Sequence, residues 1–175
     1  MNYGLNPTDR EHVEWLCVPF FGVGPLRFGQ SHEATISALG EPVSTRFRCK
    51  KVISARFGEI LPQVAVYYDN SERLSCIAID AEVGPQVVLG GLKMVGRKPS
   101  ELEGEFVKYA NSSGVEYVSV SQEGDFGSDE FGIVLRAQRS GDFLASRPVF
   151  VSREWSESVC DMQTGFVPEE EWRVR

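Results

Sequence analysis

Histidine is nearly absent: the 175 residues include two, His12 and His32, on different predicted helices. An enzyme of the Ser-His-Asp or Cys-His kind needs one of them as its base. Neither lies in a glycine-rich strand-to-helix turn that would expose a nucleophile, and Cys17 stands at a poor helical spacing from His12. Cysteine is sparse as well. Cys17, Cys49, Cys76 and Cys160 form no CxxC, so the paired spacing of a zinc site is missing and the thiols read as reduced and mostly buried. No catalytic residue, metal or cofactor is therefore assigned, and the chain is read as a non-enzyme. Long apolar runs are also missing. No stretch approaches the roughly 18 residues of a membrane span, and Met1 to Arg10 has no apolar signal-peptide region. A cytoplasmic protein without a membrane partner is expected. Positive charge is in deficit, with 18 Lys and Arg against 25 Asp and Glu, net −7. That balance opposes phosphate neutralisation and speaks against a nucleic-acid partner.

The rest of the composition is that of a globular protein, 42 % hydrophobic and 25 % charged, enough to bury a core. One domain over 1–175 is expected. Acidic charge is uneven. Residues 1–88 hold 8 basic and 10 acidic side chains, net −2, and residues 89–175 hold 10 and 15, net −5. Such a surface favours a basic partner by speeding encounter, or only keeps the chain soluble.

Punctuation along the chain predicts short helices and strands. Asn6-Pro7-Thr8-Asp9 opens a first helix, with Val13 and Leu16 on one face and Pro19 beyond it. Ser31 caps a second, with Ile36 and Leu39 on one face and a Gly40-x-Pro42 stop. Ser100-Glu-Leu-Glu103 reads as the capping box of a third, with Leu102, Phe106 and Tyr109 as its apolar face. Strand-like runs cover Val64–Tyr68 and Leu74–Ile79, joined by the turn Asp69–Glu72. Further strands are expected over Glu116–Ser121, Gly132–Gln138 and Pro148–Trp155. The result is an α+β fold, short helices packed on a mainly antiparallel sheet.

Gly24-Pro-Leu-Arg-Phe-Gly29 and Gly91-Leu-Lys-Met-Val-Gly96 share a glycine spacing 67 residues apart, and each leads into a predicted helix and then strands. Two degenerate repeats, 22–88 and 89–155 with a tail 156–175, would explain this; so would coincidence in a chain with 17 glycines. The second segment also has the GxxxxG spacing of a phosphate loop, but Arg97-Lys98-Pro99 stands where Lys-Ser/Thr is required, so a turn before a helix is the better reading.

Two charged stretches stand out. Arg46, Arg48, Lys50, Lys51 and Arg56 form a basic stretch, the first three alternating with Phe47 and Cys49, as guards of an edge strand do; an anionic or protein-binding face is the alternative. Glu123-Gly-Asp125-Phe126-Gly-Ser-Asp129-Glu130 reads as an acidic loop between strands. Glu123, Asp125, Asp129 and Glu130 are the candidate partner-binding acids, with Phe126 as an apolar anchor among them. A solvated hairpin loop is the plainer reading, and the ligand order of a calcium loop is absent. Glu169-Glu-Glu171 reads as a solvated charge run at a frayed end.

The segment Leu26-Arg-Phe-Gly-Gln-Ser-His-Glu-Ala-Thr-Ile-Ser-Ala-Leu-Gly-Glu-Pro42, followed by Tyr67-Tyr68-Asp69 and Leu74–Ile79, resembles the helix-plus-hairpin repeat of the BamE lipoproteins and the β-lactamase inhibitory proteins. The match covers about residues 24–80; the second half lacks the Leu-Gly-x-Pro exit. The resemblance implies a scaffold that binds proteins. In size, charge and architecture the chain is also similar to the bacterial immunity-type proteins that neutralise toxins. The function expected is thus an inhibitor that binds a basic toxin domain. The alternatives are a small-molecule-binding or hydrolytic enzyme using the concave face of the sheet, or an assembly factor.

Overall fold

The computed structural model describes residues 13–61, 63–116, 118–121, 123–157 and 167–174. Among the described residues, two sheets and four short helices make an α+β fold. No helix among the described residues is long and apolar enough to cross a membrane.

The smaller sheet has the order β3-β2-β1-β8-β9, from β1 (Glu14–Val18), β2 (Gly22–Val23), β3 (Leu26–Arg27), β8 (Gln86–Leu89) and β9 (Leu92–Lys93). The first predicted helix is thereby corrected: its described part is strand β1. Val13 and Leu16, expected on one buried helix face, are 72 % and 71 % exposed. The pattern that prevails is the alternation of Glu14, Leu16 and Val18 outward with Cys17 inward. The competing helix signal was local, whereas the pairing that fixes β1 is a parallel ladder with β8, Glu14 opposite Gln86 and Leu16 opposite Val88.

The larger sheet runs β10-β11-β12-β13-β7-β6-β5-β4. Its strands are β4 (Ser44–Arg48), β5 (Lys51–Phe57), β6 (Val64–Tyr68), β7 (Leu74–Ile79), β10 (Ser119–Val120), β11 (Phe126–Ser128), β12 (Ile133–Ser140) and β13 (Phe143–Val151). All its pairings are antiparallel. Two consecutive runs of strands, β4 to β7 and β10 to β13, meet at its centre through β7 and β13, where Ala78 faces Val149 and Cys76 faces Val151. Pro148 lies inside β13 although proline removes a ladder donor. Contact with β7 starts only at Val149, so no bond is lost on that side.

Each run of four strands is preceded by a two-stranded hairpin and a helix, α1 (His32–Leu39) or α2 (Pro99–Ser112). The hairpins turn at Gly24 (φ +55°) and Gly90 (φ +54°). An aromatic ring closes over each: a Cβ would stand 2.4 Å from the Trp15 ring or 2.3 Å from the Tyr109 ring. A side chain there would meet both a strained φ and a clash. The structural equivalence is therefore Gly24 with Gly90, one residue away from the spacing read in the sequence.

Helix α1 follows its punctuation. Ser31 Oγ accepts the Ala34 N–H at 3.2 Å, and Gly40, at φ +86°, ends the helix by donating to the Ile36 carbonyl. Helix α2 departs from the expected capping box. Its N-cap is Lys98, with no side-chain cap bond, because Pro99 takes the first turn. Its buried stripe is Leu102, Phe106 and Ala110, while Tyr109 packs on Phe131 at 5.7 Å between ring centroids.

One face of the large sheet joins α2 and the small sheet in a core that includes Leu26, Leu74, Ile77, Ile79, Leu89, Leu102, Phe106, Ile133 and Phe150. The core crosses both runs of strands. Arg46 and Arg48 lie on β4, at one edge of the sheet, and are exposed, as edge guards are. Cys17 and Cys76 are buried free thiols, but Cys49 is exposed, contrary to its expected burial; Cys160 lies outside the described residues.

Candidate functional site

The second face of the large sheet holds a polar cluster. On β12 the side chains Val134, Arg136, Gln138 and Ser140 alternate onto it; opposite them on β13 stand Val149, Arg147, Ala145 and Phe143. Tyr67 and Ala65 of β6, and Cys76 and Ala78 of β7, continue the face. A C-terminal segment that includes the short helix Glu169–Trp172 lies on it, with Val167 and Trp172 against the valines.

Polar contacts hold that segment. Glu171 is 1 % exposed. Arg147 donates to its carboxylate from Nε at 2.8 Å and Nη2 at 3.1 Å, and the Tyr67 hydroxyl donates to it as well. Arg136 donates to the main-chain carbonyls of Glu171, Trp172 and Val174 at 3.3, 3.0 and 3.2 Å. Its guanidinium also stacks on the Trp172 ring, 4.9 Å from the centroid. Burial works to lower the Arg147 pKa, but the charge and hydrogen bonds of Glu171, then Asp80 and Tyr67, outweigh it and the pKa rises. Tyr67 is held in its hydroxyl form by burial and by the Glu171 charge. Burial also pushes the Cys76 thiol well up, away from nucleophilic reactivity. The expectation of a solvated Glu169–Glu171 run is thus corrected for Glu171, which is a buried ion-pair partner; Glu169 is exposed.

Beside this cluster lies a cleft of about 300 Å³, lined among others by Arg56, Leu61, Asp80, Glu82, Arg147 and Val174. Gln138 bridges its floor. It donates to Asp80 Oδ2 at 3.0 Å and accepts from Arg147 Nη1 at 3.1 Å. Asp80 Oδ1 accepts the Glu82 and Val83 N–H groups. Among the described residues, one buried side-chain nitrogen, Arg56 Nη1, finds no hydrogen-bond partner.

The acids expected to form one loop are divided by strand β11. Glu123 and Asp125 lie on the turn before it, and Asp129 and Glu130 on the turn after it. Three strand residues separate the two turns by about 10 Å. Glu123, Asp129 and Glu130 are exposed. Asp125 is paired with Arg136, and their side chains are 11 % and 8 % exposed. Phe126, expected as a free anchor, is half-buried and packs on the main core. Burial, and secondarily the Asp125 charge, raises the Glu103 carboxyl pKa; burial raises that of Asp129. No group of His, Cys, Asp or Glu among the described residues has an arrangement to hold a metal ion.

Sequence reasoning missed Arg136 and Arg147, read Glu171 as solvated, and named Arg56 only within the basic stretch. A signal existed for both missed arginines: Arg136 directly follows Ile133-Val-Leu135, and Arg147 stands just before Pro148-Val-Phe-Val151. A cation inside a strand of apolar residues is a buried charge in want of a partner. The partner, Glu171, is remote in sequence and hidden in an ordinary charge run.

Large apolar side chains are exposed at one end of the large sheet. The β5–β6 loop presents Ile60 and Leu61, and the β12–β13 hairpin presents Phe143 and Leu144; Ile60 is 92 % and Phe143 70 % exposed. Registers place both at the end where β7 finishes. Exposed Glu59 and Asp142 adjoin them in sequence, half-buried Glu82 reaches Ser140, and the Glu123 turn projects the same way. A second exposed apolar stripe, Leu16, Val18 and Phe21, has a mixed rim, since Lys93 pairs with Glu14 and Arg27 stacks on Phe21.

In comparisons with known proteins, no family model, no curated protein and no solved structure matches the chain.

Proposed function

We propose that the protein works by binding another protein, as a cytoplasmic inhibitor of the immunity type that blocks a basic toxin domain. The observation that carries this reading is the end of the large sheet bearing Ile60, Leu61, Phe143 and Leu144. Exposed apolar groups framed by polar residues mark interaction sites, and an interface draws most of its affinity from such anchors. The frame is mainly acidic, with Glu59, Glu82, Glu123 and Asp142 outweighing the exposed Arg139 opposite Leu144, so a basic surface is steered toward it. Asp129 and Glu130 add to the long-range field from the far turn, while Asp125 and Phe126 serve the fold. The resemblance of residues 24–80 to the β-lactamase inhibitory repeat points the same way.

The test is co-expression with the protein encoded immediately beside this chain's gene. A stoichiometric complex on size exclusion and neutralised toxicity are expected. Replacing Ile60 and Phe143 by Ser should weaken the complex at least tenfold in titration calorimetry. Absence of a complex, or an unchanged affinity of the double variant, overturns the reading.

A further inference from the structure

The cleft beside Val174 has a feature that neither the sheet nor the C-terminal segment explains. Arg56 points from β5, opposite Ala65, onto the cleft face, and its Nη1 is enclosed without a hydrogen-bond partner. The Arg56 side chain as a whole is half-buried, but an enclosed N–H without an acceptor forfeits its hydration, so such donors are ordinarily paired. The carboxylates nearby are already engaged. Glu171 is taken by Arg147 and Tyr67, and Asp80 by two backbone N–H groups and Gln138. The Tyr67 phenol is the group that Arg56 does meet, and a phenol held in its hydroxyl form supplies no negative charge.

We infer that this cleft is a binding site for a monocarboxylate carried on a short apolar stem, with Arg56 holding the carboxylate. The volume, about 300 Å³, is at the small end of ligand pockets. Leu61, Ala65, Val83 and Val174 supply an apolar wall for the stem. Asp80 and Glu82 also line the cleft and repel any negative charge that Arg56 does not neutralise, which selects against phosphate and dicarboxylates. A guanidinium matches a carboxylate with two parallel hydrogen bonds, so an Nη atom with no partner fits this anion. The inference does not rest on the protein-binding reading, because the ligand is small and the binding is measured on the chain alone.

Titration calorimetry and thermal unfolding of the full chain with acetate, butyrate, hexanoate and phosphate, at constant ionic strength set by chloride, test it. Saturable binding is expected for butyrate and hexanoate, tightening with stem length, with no saturable response to phosphate. Arg56→Met should weaken hexanoate binding at least tenfold, and Arg56→Lys by several-fold while keeping the charge. A crystal grown with hexanoate should show carboxylate oxygen at Arg56 Nη1. Three results overturn the inference: no saturable response to any carboxylate, equal affinity in the folded Arg56→Met variant, or water alone at Nη1 in crystals saturated with hexanoate. Phosphate binding as tightly as hexanoate overturns the monocarboxylate class.

Discussion

Removing the Glu171 carboxylate leaves the enclosed Arg147 with only Gln138, at 3.1 Å, and the more distant Asp80, at 3.6 Å, to answer its charge. An ion pair this enclosed adds little net stability over a hydrophobic pair, but breaking it by deleting one partner costs about 3–5 kcal/mol. Glu171→Gln keeps the shape and some hydrogen bonds and should still lose most of that; urea unfolding monitored by tryptophan fluorescence measures it. Asp125 and Glu123 are near neighbours in sequence with different roles, and the same experiment separates them. Asp125→Asn removes a charged hydrogen bond from Arg136 and should cost about 2 kcal/mol, less than Glu171→Gln because Arg136 keeps its carbonyl partners. Glu123→Gln, at an exposed position, should stay within about 0.5 kcal/mol. His32 gives a pH-dependent counterpart. Its Nδ1 stands 2.8 Å from the Tyr68 hydroxyl. Burial lowers its pKa, against the opposing pull of Glu41 and Glu72. The folded state therefore binds fewer protons than the unfolded chain as pH falls through the ordinary histidine range, near 6.5. Stability from this residue is present above that range and is lost below it. Between pH 7.5 and 5.5 the unfolding midpoint should fall more steeply in the native protein than in His32→Gln.

Among the elements, the β4–β5 hairpin shows a choice the sequence did not announce. Cys49 and Lys50 form its two-residue turn with φ +50° and +67°, between the paired Arg48 and Lys51. Both angles lie in the left-handed region that a type I′ turn demands and that an Asn-Gly pair fills best. The double substitution Cys49→Asn with Lys50→Gly should stabilise the protein by about 1 kcal/mol, and raise the thermal midpoint by roughly 2–4 °C for a chain of this size; calorimetry that finds no gain would show that the turn residues are held by contacts of their own. The alternation of Arg46, Phe47 and Arg48 made β4 legible, but with no glycine or asparagine at 49–50 its end was not. Helix α1 was legible to the residue because Ser31 and Gly40 act locally. Helix α2 was legible in place and in Leu102 and Phe106 of its buried face, where Ala110 takes the position expected of Tyr109, but not at its start, where Pro99 prevailed over Ser100. Strand β1 was misread because its partner β8 is distant, and no local pattern carries that pairing. The candidate site divides similarly. Exposed acids could be listed from sequence, but strand β11 between them, and the Arg136 that claims Asp125, belong to tertiary structure.

At the scale of the whole molecule, the recurring order of hairpin, helix and four strands raises the question of whether each half can fold alone. The ladders argue that it cannot. Strand β1 from the first half pairs with β8 from the second, while β7 pairs with β13 at the centre of the large sheet. Splitting the chain between Gly84 and Pro85 would leave β1, β7, β8 and β13 each paired on one side only, with a newly open edge. It would also expose Ile77 and Ile79 on one fragment, and Phe106 and Phe150 on the other, all of them buried in one shared core. Edges and apolar faces of that kind do not persist in water. Cutting after Gly84 leaves the bond from Gly84 to the Asp80 carbonyl within one fragment. Fragments 1–84 and 85–175 should therefore be largely unfolded by circular dichroism when separate. Mixed at micromolar concentration, they should recover the sheet signal as a one-to-one complex, with a midpoint that rises with concentration because association now sets stability. If either fragment alone showed a cooperative thermal transition, the recurring order would mark two independent folding units, and the shared core would be a contact between them.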